Sequence, residues 1–217
     1  MDIAVLGTGS AGRTIAARLD ELGHHVTIGT RDPAGTADRE EYAAWATGEP
    51  GVTLATFQDA AAGAELVFLV TSGDAALDVL DLAGAGNLDG KVVVDVTNPL
   101  DFSAGFPPTL SVKDTDSLGE QLQRAHPAAR VVKALNTMNA SVMVRPDSLS
   151  EPTTAFVAGD DEEAKAVVTG LLEDFGHTDV IDLGDISMAR GTEMFLPLWV
   201  RLMGRLGTAS FNIKVVR

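Results

Sequence analysis

An α/β fold, a doubly wound parallel sheet followed by a small C-terminal α+β cap, is what three observations in this sequence predict. Strand-length apolar runs alternate with helix-length amphipathic stretches through the first two thirds of the 217 residues, the pattern of βαβ units around a parallel sheet. The first unit carries a glycine-rich turn, GTGSAG (Gly7–Gly12), between its strand and its helix. After about residue 150 the alternation changes style, which sets a soft boundary between a domain of residues 1–150 and a smaller one of 151–217.

Taken in order, IAVLG (3–7) is a buried strand and SAGRTIAARLDELG (10–23) a helix that Gly23 ends. HVTIGT (25–30) is the second strand. Asp32 and Pro33 supply the cap and first residue of a helix running through EEYAAWAT (40–47). ELVFLV (65–70) and KVVVDVT (91–97) are the next strands, separated by the helical DAALDVLDLA (74–83). Ser117 and Glu120 form a capping box for a helix leading to the strand RVVKAL (130–135). Residues 98–116 show no periodicity over 19 positions, the length of a functional or mobile loop. In the last third, AFVAGD (155–160) is a strand and DDEEAKAVVTGLLEDFG (160–176) a helix with an acidic first turn. DVIDLGD (179–185), an apolar helix over 186–206 interrupted by Pro197, and a final strand FNIKVV (211–216) complete the chain.

Composition narrows the function classes. A content of 45% hydrophobic and 22% charged residues is that of a folded protein. The absence of cysteine removes disulfides, thiolate zinc sites and thiol catalysis together, and fits a cytoplasmic protein. MDIAVLGTG lacks the features of a signal peptide, and no stretch nears the roughly 20 apolar residues of a membrane span, so no membrane partner is expected. A formal charge of −15 argues against nucleic acid. It also makes cations informative, because an acidic protein that holds an anion must place its few cations at the site. No carboxylate–histidine cluster has metal-ligand spacing. His24 and His25 read as a surface turn, and His126 and His177 as isolated residues near helix ends, where a cation is welcome.

The glycine turn sits where a dinucleotide-binding motif requires it, after a strand and before a helix. Gly7 permits the tight turn, Gly9 lets a pyrophosphate approach the backbone, and Gly12 allows close helix–strand packing. Thr8, Ser10 and Ala11 complete a turn whose helix N-terminus offers N–H groups to phosphates. The fold is therefore expected to be a Rossmann-type doubly wound parallel sheet. Such domains carry an acid for the adenosine ribose about 20 residues on; here Thr30, 18 residues after Gly12, and Arg31 stand in its place. A hydroxyl followed by a guanidinium suits a phosphate, which favours NADP(H) over NAD(H). The alternative makes Asp32 the ribose acid and turns Arg31 to solvent, although Asp32 before Pro33 is better explained as a helix cap. Arg13 and Arg39 read as ordinary surface arginines with at most an assisting part. Other expected walls lie where strands end: Thr71 and Ser72, Asn98 and Pro99, and Asn136, Thr137 and Met138. Phe102 and Phe106 in the long loop suit closure of a cleft, with burial in the core the favoured reading.

GTGSAG, GTRDP, VVDVTNPL, VVKALNTM, FVAGDDEEAK and FNIKV together resemble the family of NADPH-dependent reductases of the deazaflavin coenzyme F-420 (F420H2:NADP oxidoreductases), over nearly the whole chain. The same nucleotide domain occurs in mammalian metalloreductases. The resemblance implies an NADP-dependent oxidoreductase with coenzyme F-420 as co-substrate, and hydride exchange between nicotinamide C4 and deazaflavin C5 without an obligate side-chain acid or base. It implies a ring stacked in the cleft between the Rossmann domain and the cap, near Asn136–Asn139 and Gly207–Lys214. Lys214 or Arg190 would then meet an anionic tail. One departure concerns that second substrate: Asn136-Thr137-Met138-Asn139 stands where the family's reductases can carry His-Thr-Ile-Pro. Two other readings keep the nucleotide, namely reduction of a flavin, ferric ion or small carbonyl, and a non-catalytic NADP(H) sensor. A small-molecule redox co-substrate is the expected partner. A homodimer is also expected, because the apolar C-terminal helix exceeds what a small domain buries.

Overall fold

The computed structural model describes residues 1–217. β1 (Asp2–Leu6), α1 (Ser10–Glu21) and β2 (His25–Thr30) lie where their apolar patterns put them. The expected single helix from Pro33 is instead two, α2 (Pro33–Ala37) and α3 (Glu40–Ala46), because Arg39 between them takes an extended conformation (φ −72°, ψ 123°). Asp32 caps α2, its Oδ1 accepting from the Gly35 N–H at 3.1 Å. A strand β3 (Thr53–Thr56) and a helix α4 (Phe57–Gly63) follow, neither marked by the apolar pattern. Then come β4 (Leu66–Leu69), α5 (Ala76–Ala83), α6 (Ala85–Leu88) and β5 (Val92–Asp95).

The 98–116 stretch contains a small antiparallel ribbon, β6 (Leu100–Asp101) with β7 (Thr109–Leu110). α7 (Leu118–Ala125) starts at the expected cap, Ser117 Oγ accepting from the Glu120 N–H at 3.1 Å, and leads to β8 (Arg130–Ala134). α8 (Ala140–Val144), β9 (Ala155–Gly159), α9 (Glu162–Phe175), β10 (Val180–Asp182), α10 (Ala189–Met194) and α11 (Leu196–Leu206) complete the order. The expected helix over 186–206 is interrupted at Phe195, between α10 and α11, and Pro197 falls in the first turn of α11, where its missing N–H costs nothing. FNIKVV is not a strand. Its bonds to the residue before β9, Thr154 N–H to Ile213 O at 3.0 Å and Val215 N–H to Thr154 Oγ1 at 2.9 Å, do not make a ladder.

Eight strands form one sheet in the order β10-β9-β8-β5-β4-β1-β2-β3. Every pair from β3 to β8 is parallel, β9 is antiparallel to β8, and β10 is parallel to β9. The sheet thus continues across residue 150. The reversal at β9 keeps the 135–154 connection, and the tail bonded to Thr154, at the edge where the parallel strands end. Helices cover both faces, so the strands read as unbroken apolar runs. Along β5, Val92 and Val94 join one core with Ile15, Leu19 and Phe175, while Val93 joins the other with Leu80, Leu122 and Ile186. Burying a side chain such as Phe68 contributes about 1.5–3 kcal/mol relative to leaving it exposed. No helix is long and apolar enough to cross a membrane.

Candidate functional site

α1 packs on one face of the sheet and α5 on the other, although the strands before them, β1 and β4, are neighbours. Ligands bind in the crevice at such a switch point. Gly7 ends β1 there with φ +139°, and a Cβ on it would lie 2.2 Å from Val70 O. A Cβ on Gly12 would lie 2.2 Å from Gly7 O, whereas one on Gly9 would meet open space. α1 has no acidic residue in its first turn and no side-chain cap, so the orphan N–H groups of its N-terminus are left for another acceptor. Two glycines that allow close packing, a third facing open space and an uncapped helix start fit a dinucleotide pyrophosphate.

A cavity of about 330 Å³ adjoins this turn, lined by Gly7, Thr8, Gly9, Thr30, Arg31, Arg39, Thr71 and Ser72 among others. None of its lining residues is acidic, in a chain with 31 carboxylates. Ser10 and Ala11 continue the turn into α1 outside the lining. Thr30 is buried, its Oγ1 2.9 Å from Thr36 Oγ1, and Arg39 Nη2 donates to the same Thr36 hydroxyl. Arg31 is exposed. Arg13 does not line the cavity and pairs with Glu41.

Thr71 and Ser72 also border a second cavity of about 520 Å³, which includes Asp74, Thr97, Asn98, Asp101 and Phe102. The favoured burial of Phe102 and Phe106 is wrong: they are 58% and 68% exposed. In the short β6–β7 ribbon only Leu110 is buried, and both rings lie outside. Asn98 and Asn136 bridge the ends of β5 and β8. Asn98 Nδ2 donates to Asn136 O at 2.8 Å, and Asn136 Nδ2 donates to Asn98 Oδ1 at 2.9 Å. Leu135, buried in the left-handed region at φ +62°, supplies the turn between β8 and Asn136. Asn136, Thr137 and Met138 are buried and line neither cavity; they brace the wall from behind. Pro99 accepts from the Ser111 N–H at 2.9 Å, fixing the ribbon to that wall. Asn212 of the tail lies 4.0 Å from Met138 Sδ, so the chain end reaches the same edge. Arg190 is tied to Glu120, and Lys214 lies 3.6 Å from Glu151.

Beneath the Thr97–Asn98 wall is a charged cluster that the motifs do not reveal. The β5–β8 register sets Asp95 beside Lys133 on one face. Lys133 Nζ lies 2.6 Å from Asp95 Oδ2 and 2.8 Å from Glu193 Oε1, and donates to Thr97 O at 2.9 Å; all three charged residues are buried. Glu193, on α10, also accepts from the Leu118 and Gly119 N–H groups at the start of α7. Burial alone would push the Lys133 amine down, but the two carboxylates outweigh it and hold it above its ordinary value. An acid inside VVVDV and a lysine inside RVVKA are the sequence signals, since a charge in a buried strand requires a partner. His177 is no helix-end cation: it is buried, its Nε2 donates to Met143 O at 2.9 Å, and desolvation lowers its pKa.

Comparison with known proteins bears on which nucleotide this arrangement serves. The family model for NADP oxidoreductase, coenzyme F420-dependent, matches residues 2–99. The F420-dependent NADP reductase of Methanothermobacter marburgensis is 30% identical over 225 residues, which cover 98% of each chain. This chain belongs to the F420-dependent NADP reductase family. A crystal structure assigned as an F420-dependent NADP-reductase of Arthrobacter sp. FB24 is 57% identical, with a TM-score of 0.98 over 100% of both chains. Metalloreductase STEAP3 of Rattus norvegicus is 29% identical over 91% of this chain, which spans 37% of that protein's length. Membership in the F420-dependent NADP reductase family makes the chain an oxidoreductase, with NADP and F420 as the family's substrates.

Proposed function

We propose that this protein transfers a hydride between NADP(H) and coenzyme F420, with the nucleotide in the crevice between β1 and β4 and the acceptor against the Thr71–Asn98 wall. The observation that carries the reading is the acid-free cavity with Thr30 and Arg31 in place of a ribose acid. Gly7, Gly9 and Gly12 admit the pyrophosphate, and the N–H groups from Thr8 to Ala11 bind it. Thr30 and Arg31 take the 2′-phosphate. Thr71, Ser72, Asn98 and Pro99 orient the nicotinamide end, supported by Asn136, Thr137 and Met138. Phe102 covers the second cavity and excludes water. When bound, NADPH supplies the hydride, so the side chains position and desolvate without moving a proton. A cytoplasmic setting suits a chain free of cysteine. Leu198 and Leu206, 53% and 56% exposed on α11, support a homodimer through that face.

Arg31→Ala tests the nucleotide assignment. NADPH binding is expected to weaken about tenfold, a charge-assisted contact's worth, with NADH binding nearly unchanged; equal losses reject it. The likeness to STEAP3 favours a second reading, NADPH-dependent reduction of a flavin or ferric ion. Turnover of NADPH with those acceptors and none with F420 would select it.

A further inference from the structure

We infer that Arg39 is a second cation for the 2′-phosphate, pre-set by a hydroxyl relay through Thr36 to Thr30; this rests on the NADP(H) reading above. Arg39 lines the same acid-free cavity as Arg31 and forms no salt bridge. Helix capping does not explain its position. It occupies the N-cap of α3 and makes no side-chain cap bond. N-caps favour Ser, Thr, Asp or Asn, and a cation at a helix N-terminus opposes the dipole. A residue that breaks a local rule beside a binding cavity marks a functional constraint.

The hydrogen bonds give the relay a direction. A guanidinium only donates, so Thr36 Oγ1 accepts from Arg39. Thr36 is 1% exposed, and its own proton has the Thr30 oxygen 2.9 Å away. With Thr36 donating to Thr30, the Thr30 hydroxyl proton is free for an anion in the cavity. Anchoring at Thr36 also removes part of the rotamer freedom that an exposed arginine loses on binding. Two guanidinium groups then match a phosphate monoester carrying close to two negative charges.

Calorimetric titration of the full chain with adenosine 2′,5′-bisphosphate and with 5′-AMP separates this role from a structural one. Arg39→Ala is expected to weaken the bisphosphate about tenfold and 5′-AMP less than about twofold, with unchanged thermal unfolding; Thr36→Val, which cuts the relay, weakens the bisphosphate about threefold. Unchanged affinity for the bisphosphate in Arg39→Ala, or an equal loss for both nucleotides, overturns the role of Arg39. If Arg31→Ala still discriminates between the nucleotides in that case, the NADP(H) reading stands without Arg39. If it does not, both fall together.

Discussion

Gly73 lets the loop after β4 lie directly against the loop after β5. A Cβ there would sit 2.1 Å from the carbonyl oxygen of Asn98 and 2.7 Å from its carbon. Both are backbone atoms, so no flexible side chain can give way. Gly73→Ala is expected to separate the two walls of the second cavity, costing about 1–3 kcal/mol of stability as an overpacked contact. Turnover should fall further than affinity for adenosine 2′,5′-bisphosphate, because the cavity proposed for the 2′-phosphate lies on the other side of Thr71 and Ser72. Denaturant titration and steady-state kinetics measure the two effects. At this scale, what could be read from sequence was chemistry at fixed spacing. Gly7, Gly9, Gly12, Thr30 and Arg31 share one strand–turn–helix unit and the end of the next strand. Arg39 read as a surface arginine with at most an assisting part, because its place in the cavity depends on a two-residue break between helices, which periodicity does not encode. Asn136 and Met138 were expected among the walls of the site; their burial follows from a left-handed turn at Leu135 that no residue type announces.

Among the elements, α7 is held from the chain just before it as well as by its cap. Asp116 accepts from Arg124 at 3.0 and 2.8 Å and from Gln121 at 3.1 Å. The Arg124 guanidinium is the main reason its pKa is lowered from 3.8 to about 2. A depressed carboxylate stabilises the fold above its unfolded value and loses that contribution as pH falls. For Asp116 the loss runs from about pH 4 to about pH 2. An NMR titration should find its midpoint near 2, moving back toward the ordinary value in Arg124→Gln. Long apolar runs make most of the parallel strands legible in the sequence. β3 and α4 were not, because TLATFQDAAAG offers few large apolar residues and no clear period. FNIKVV alternates like a strand and fails to be one, because the main-chain bonds it makes beyond the tail go to Thr154 rather than to a row of backbone partners.

Across the whole molecule, Asp95, Lys133 and Glu193 join the central sheet to α10, and through Thr97 O to the wall of the second cavity. Lys133→Met leaves two buried carboxylates without their cation and should cost about 3–5 kcal/mol, read by denaturant unfolding. The folded pKa of Lys133 lies above its ordinary value of 10.5, so its contribution is complete below that value and disappears as pH rises through the higher folded one. Partners this far apart in sequence, such as Lys133 and Glu193, could not be matched without the fold. The acid-free cavity has a consequence for kinetics. A cofactor with several negative charges approaches a body of net charge −15, and at low ionic strength, where the screening length reaches about 30 Å, it feels that body before it feels two arginines. Added salt screens the long-range repulsion and the short-range attraction alike, so the nucleotide should arrive faster and leave faster as ionic strength rises. With the nucleotide placed as proposed, its rate of capture is then set by the surface as a whole, and its residence by the few cations at the end of β2.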